Sequence, residues 1–317
     1  MELMVEEKEY NMKKIAFIYP GQGAQKVGMG KDFYEQGMLA RAVYDKAEEL
    51  LDFSVKDICF EENDLINNTA YTQAALVTTC LAMTAELNAA GVNPDATAGL
   101  SLGEYAAIAA AKGMSYEDAI LLVRKRGIYM NEAVPDGVGG MAAVLGLTKE
   151  QVEEAIDGME DVSIANYNCP GQIVITGMKE AVEAAEAPLK EKGAKRVLPL
   201  NVSGPFHSSF LTKAGEQLDE ELSKVSFTTL AIPYVTNVTA QYVNDISETR
   251  ELLKQQVSSS VRWEQSMELL IRDGFDTFIE IGPGKTLSGF MRKINKDVTV
   301  YNVSAYEDVA KLLESLN

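Results

Sequence analysis

The chain has 317 residues, 46% of them hydrophobic, and a formal charge of -18, with 47 acidic residues against 29 basic ones. That length buries a large core, as one big α/β domain or two unequal ones, and the charge repels polyanions, which argues against nucleic-acid binding. Cys59, Cys80 and Cys169 are odd in number and widely spaced, so neither a disulfide framework nor a zinc site is indicated, and a reducing cytoplasm is the expected setting.

Residues 1–12 form a polar, acidic stretch read as a frayed leader, without the basic start of a signal peptide. The longest apolar run, Tyr105 to Ala111, is far below the roughly 20 residues of a membrane span, so neither export nor an anchor is expected. Ile15 to Tyr19 is a short apolar run stopped by Pro20-Gly21, the pattern of a buried strand ending in a loop. Helical periodicity follows near 31–52 and 70–90, then a weaker strand at Asp95 to Gly99 that runs into G-L-S-L-G and an Ala-rich helix. Strands alternating with helices imply a mostly parallel sheet.

The cluster Pro135 to Gly140 breaks that rhythm and reads as a linker. Beyond it the pattern predicts strands at Met141 to Leu147, Val162 to Asn168, Ile173 to Thr176 and Arg196 to Leu200, with helices at Lys149 to Ile156 and Lys179 to Lys192. That βαββαβ order is ferredoxin-like. The chain is therefore expected to be α/β: a large α/β-hydrolase-like domain over 1–135 and 205–317, with a small ferredoxin-like subdomain inserted at 136–204. After it, Ile232 to Asn237 and Thr277 to Ile281 read as strands and 246–257 and 262–273 as helices. No apolar helix asks for a partner, so a monomer is expected.

Gly99 to Gly103 place Ser101 between a strand and a helix, where flanking glycines permit the sharp turn that exposes a nucleophilic hydroxyl. A serine hydroxyl needs a base with a pKa near neutrality, and the chain offers one histidine, His207, in the loop Ser203 to Ser209. No acidic residue stands out to orient it, which leaves a backbone or amide carbonyl for that role. The loop Pro20 to Gln25 fits neither phosphate-loop pattern and is better read as donating a backbone N–H to an oxyanion. Gly282 to Thr286 imitates the end of a P-loop but lacks its first glycine, position 279 being Ile, so nucleotide hydrolysis is rejected. No spacing of His, Cys or carboxylates suggests a metal. One of the cations in Arg124-Lys125-Arg126, if turned inward, would suit a substrate carboxylate; the usual role of such a run is a solvated face.

In chain order, PGQGAQ at 20–25, TQAAL at 72–76, GLSLGEYAA at 99–107, RGIYMNEAVP at 126–135, NYNCPGQIVITG at 166–177, GPFHSSF at 204–210 and EIGPGKTL at 280–287 resemble the motifs of malonyl-CoA:acyl carrier protein transacylases of fatty-acid synthesis. The resemblance runs from about Lys14 to near the C-terminus. It implies a malonyl ester on Ser101, proton shuttling by His207, an oxyanion hole from the Gln22 and Leu102 amides, and a carboxylate clamp at Arg126. It further implies that the Gln256 main-chain carbonyl orients His207, and that Gln73, Asn166 and Asn168 line the site. Malonyl-CoA and acyl carrier protein are the implied partners, with the CoA thioester as substrate and no cofactor. Leu100 departs from the family's usual histidine, and Phe206 matches the pattern of members that take malonyl rather than methylmalonyl units. The alternatives sharing the chemistry are a serine esterase or thioesterase and a stand-alone polyketide malonyltransferase. Two basic clusters, Lys190 to Arg196 and Arg292 to Lys296, are candidate docking sites for an acidic carrier.

Overall fold

A computed structural model describes residues 13–202 and 204–316; the polar leader at 1–12 lies outside the described residues. Among the described residues ten strands, β1 to β10, fall into two sheets. In the first half of the chain, β1 is Ile15–Tyr19, β2 Ala96–Gly99, β3 Gly139–Leu145, β4 Val162–Cys169 and β5 Gln172–Met178. The rest are β6 Arg196–Pro199, β7 Tyr234–Val235, β8 Tyr242–Val243, β9 Thr277–Ile281 and β10 Thr299–Val303.

The larger sheet has the order β10-β9-β1-β2-β7-β8, with all neighbours parallel except the β7–β8 pair. Its central strands are buried along nearly their whole length, as expected of a parallel sheet covered by helices on both faces. Since Tyr19 registers with Gly99, the carboxyl ends of β1 and β2 lie side by side, and the loops leaving them are neighbours. Open α/β sheets form ligand crevices at such ends.

The smaller sheet is antiparallel, with the order β4-β5-β3-β6. Numbered within the inserted unit, that is the 2-3-1-4 arrangement of a ferredoxin-like βαββαβ motif. It is joined to the rest by backbone bonds: Tyr167 N donates to Val261 O at 2.9 Å and Val261 N to Ala165 O at 2.7 Å. These bonds fix β4, which carries Asn166 and Asn168, against the segment following Gln256.

Several elements differ from the sequence expectation for local reasons. The helical stretch at 31–52 divides into Lys31–Gln36 and Met38–Leu50 around Gly37, and the Glu86 carboxylate accepts the Leu39 and Ala40 amides at 2.8 and 2.9 Å to start the second helix. The single helix expected at 179–192 divides into Lys179–Ala184 and Glu186–Glu191, because Pro188 supplies no N–H and its ring clashes with the carbonyl four residues back. The strand expected at 232–237 is reduced to Tyr234–Val235. At the start of Met38–Leu50, the Met38 side chain is 82% exposed.

Candidate active site

The turn after β2 carries Ser101 at φ 51, a left-handed backbone that costs a non-glycine residue about 1–3 kcal/mol. Asn237, at the end of β7, holds it: Ser101 N donates to Asn237 Oδ1 at 2.6 Å, and Asn237 Nδ2 donates to Gly99 O at 2.7 Å. One side-chain amide thus clips both limbs of the elbow. Glycine is required at 103 because an added Cβ would run into the Tyr19 carbonyl, and at 99 because it would run into the backbone at Gly103. The elbow and the loop after β1 are in backbone contact, and Leu100 N donates to Tyr19 O at 3.0 Å.

His207 is buried and meets Ser101 across the cavity, with Ser101 Oγ 2.7 Å from His207 Nε2. The other ring nitrogen, Nδ1, lies 2.9 Å from the main-chain carbonyl of Gln256 and 3.1 Å from that of Ser259. Carbonyls only accept, so Nδ1 carries the proton and Nε2 presents its lone pair to the serine hydroxyl. Burial, followed by the charge of Arg126, pulls the imidazole pKa down to about 4, against the two carbonyls that favour the cation. Near neutrality the ring is therefore uncharged, with Nε2 free to accept a proton.

The basic run at 124–126 resolves into three roles. Arg124 pairs with Asp52 at 2.8 Å and lies over the Phe53 and Tyr71 rings, and Lys125 is exposed. Arg126 is 1% exposed and points inward. Its Nη2 donates to Ser101 Oγ at 3.1 Å and to Gln256 Oε1 at 3.0 Å, and its Nη1 donates to Gln73 Oε1 at 2.8 Å. Its Nε has no partner among the described residues, and no carboxylate among them forms a direct ion pair with it. A buried guanidinium in this state is suited to an incoming carboxylate.

These groups border a cavity of about 230 Å³, whose walls include Gln22, Leu100, Asn166, Asn168 and Phe206. Leu102 is the N-cap of helix Gly103–Ala110 with its side chain fully buried, so it offers the site its backbone alone. The Gln22 side chain is engaged with Thr69 at 2.9 Å and Gln73 at 3.4 Å. Gln22 lies in the loop after β1 and Leu102 directly follows Ser101 in the elbow, and these two segments are in backbone contact. Leu100 packs beside Gly21 and against the core under the sheet, and its hydrocarbon side chain can neither give nor take a proton between Ser101 and His207. At Gly282 to Thr286, the helix start that a P-loop gives to phosphate is occupied by Glu280, which accepts from Leu287 N at 3.0 Å and Ser288 N at 2.8 Å.

Sequence reasoning missed Asn237, Ser259 and Glu104. Asn237 and Ser259 act through a turn amide and a main-chain oxygen, which leave no spacing signature. Glu104 had a signal: a charged residue at the head of an Ala-rich helix whose other positions all read as buried.

The chemistry this arrangement permits is acyl transfer, and the model of the acyl transferase domain matches residues 16–312, a span that takes in both sheets and the cavity. A malonyl CoA-acyl carrier protein transacylase of Bacillus subtilis (strain 168) is 44% identical over 310 residues, covering 96% of this chain and 98% of the relative. The crystal structure of a malonyl CoA-acyl carrier protein transacylase from Clostridium perfringens ATCC 13124 superposes with a TM-score of 0.92 at 44% identity, covering 96% of this chain and 97% of the other. A malonyl-transacylase solved in complex with a type II PKS acyl-carrier protein superposes at 0.91 with 33% identity, covering 95% and 99%. The chain belongs to the malonyl CoA-acyl carrier protein transacylase family of acyl transferases.

Proposed function

We propose that the protein moves a malonyl group from malonyl-CoA to the phosphopantetheine thiol of acyl carrier protein through a malonyl ester on Ser101, supplying fatty-acid chain elongation. The observation that carries this is Ser101 Oγ itself, which lies 2.7 Å from a neutral imidazole and 3.1 Å from a buried guanidinium. Base, nucleophile and anion receptor converge on one oxygen.

In the first half-reaction Ser101 Oγ attacks the thioester carbonyl while its proton passes to His207 Nε2. The Gln22 and Leu102 amides receive the developing oxyanion, and collapse breaks the C–S bond, with His207 returning the proton to the CoA sulfur. In the second, the carrier thiol gives its proton to His207, its sulfur attacks the ester, and Ser101 recovers the proton as it leaves. A thioester replaces a thioester, so no step calls for nucleotide hydrolysis, a metal or a redox cofactor. Arg126 holds the malonyl carboxylate throughout, Gln73 braces Arg126, and Asn166 and Asn168 form the facing wall. Phe206, beside His207 in the cavity wall, limits room at the α-carbon, which favours malonyl over branched units.

Intact-mass spectrometry tests this reading. With malonyl-CoA, the protein is expected to gain one malonyl group that acyl carrier protein discharges far faster than water does, and Ser101→Ala is expected to gain none. Discharge by water at the same rate would make the protein a thioesterase, and an adduct on Ser101→Ala would remove the serine mechanism.

A further inference from the structure

The most buried charge-bearing group near the cavity is one the mechanism above does not use. Glu104 lies three residues after Ser101, in the first turn of helix Gly103–Ala110, and is 0% exposed. Its Oε2 accepts from Gln256 Nε2 at 2.6 Å and from Asn237 N at 3.2 Å, and its Oε1 has no partner among the described residues. Placing a carboxyl in such a position is costly unless its hydrogen bonds accomplish something an apolar residue could not.

The shorter of those bonds leads to Gln256. The Gln256 amide donates from Nε2 to Glu104 and, at 2.9 Å, to the Ser101 carbonyl, while its Oε1 accepts from Arg126 Nη2 at 3.0 Å. The main-chain carbonyl of the same residue holds His207 Nδ1 at 2.9 Å. A side-chain amide is an acceptor on one edge and a donor on the other, and flipping it reverses both. With Glu104 and Ser101 O on one side and Arg126 on the other, only one orientation makes all three bonds. The flipped amide would aim its NH2 at a guanidinium and its oxygen at a carboxyl.

We propose that Glu104 is a positioning residue for substrate recognition: by fixing the Gln256 amide with its oxygen towards Arg126, it aims the guanidinium at the substrate carboxylate. The inference rests on the reading that Arg126 receives that carboxylate. Charge works in the same direction, because Arg126 has no direct ion pair among the described residues and Glu104 is the carboxyl joined to it through a single amide. Burial pushes the Glu104 carboxyl up to about 7, with the bonds from Gln256 and Asn237, the nearby Thr236 hydroxyl and the charge of Arg126 drawing it down. Glu104 also holds Asn237, the residue that clips the elbow, so a structural contribution has to be separated from the positioning one.

The test compares the rates at which malonyl-CoA and acetyl-CoA acylate Ser101, since acetyl has no carboxylate for Arg126 to receive. Glu104→Ala and Gln256→Leu are each expected to lower the malonyl-to-acetyl rate ratio by about tenfold or more, the scale of a coupling between residues in one hydrogen-bonded network. The double variant should lower it no further than the worse single variant, because one acts through the other. Glu104→Gln keeps an acceptor for Gln256 and should restore most of the ratio. Equal loss of malonyl and acetyl acylation in Glu104→Ala would reduce Glu104 to a support of the elbow and overturn the proposal, as would additive losses in the double variant. Should Glu104→Ala fail to fold, an unchanged ratio in Gln256→Leu would overturn it alone. Absence of malonyl preference in the wild type would instead overturn the role of Arg126, so the two failures are distinguishable.

Discussion

The charge of Arg126 acts on His207, and the consequence is measurable with pH. The folded imidazole is held near 4, below the ordinary value of 6.5, first by burial and then by the guanidinium. Its neutral form therefore supports folding fully above about 6.5, and that support is lost as pH falls through 6.5 towards 4. For catalysis the expected kcat/KM profile with acetyl-CoA is flat from neutrality down to about pH 5, falling only as His207 is protonated. Arg126→Ala removes one of the two causes of the depression, so the acidic limb of the same profile should move to higher pH. A limb that stays in place would mean that burial alone sets the imidazole. The same variant should also lose about 2–5 kcal/mol of malonyl preference over acetyl, the scale for breaking a desolvated charge pair. Unchanged selectivity in a competition assay would place the carboxylate on another residue.

At the scale of elements, the site depends on how closely two chain segments approach. An alanine methyl at 103 has no room beside the Tyr19 carbonyl, so Gly103→Ala must push the end of β1 away from the elbow. The expected cost is about 1–3 kcal/mol in denaturant unfolding, with a larger fractional loss of acylation rate because the Gln22 and Leu102 amides, which we propose form the oxyanion hole, ride on the displaced loops. Gly289 is the control: nothing lies within 4 Å of a Cβ there, and in helix Thr286–Ile294 alanine should be neutral or stabilise by about 0.5–1 kcal/mol. The same contrast explains what the sequence made legible. Buried strands such as Thr277–Ile281, and helices with an apolar stripe, announce themselves because burial on a regular element is periodic. The elbow was legible because its geometry demands glycines at fixed places. Gln256 was reached through family resemblance rather than from local pattern, and Asn237 not at all. Its function is to bond Ser101 N and Gly99 O from a strand end 136 positions away in sequence, a closure only the fold defines. Helix breaks at Gly37 and Pro188 were missed for a different reason: a continuous helical period passed over two local residues that interrupt the backbone.

For the whole molecule, the formal charge of -18 poses a problem for a partner that the resemblance makes acidic as well. Long-range repulsion must be offset by a local basic surface near the cavity mouth. Of the two basic clusters, the one at Lys190 to Arg196 is partly spent, since Lys190 pairs with Glu186 and Lys192 with Glu154. The other lies on and just past helix Thr286–Ile294, whose Thr286, Leu287 and Phe290 line the cavity. Its Arg292, Lys293 and Lys296 are exposed and form no ion pair among the described residues; Lys293 donates only to Gln172, at 3.4 Å. A carrier docked on that helix would deliver its phosphopantetheine arm along the cavity wall towards Ser101. Arg292→Glu with Lys293→Glu should therefore raise KM for acyl carrier protein severalfold while moving KM for malonyl-CoA less. The difference should shrink as salt is added, because at physiological ionic strength exposed charges are screened over about 8 Å. An equal rise in both constants would assign the cluster to the phosphates of CoA. No rise in either would leave the carrier to dock elsewhere, and Lys195 and Arg196, exposed at the start of β6, are the next pair to reverse.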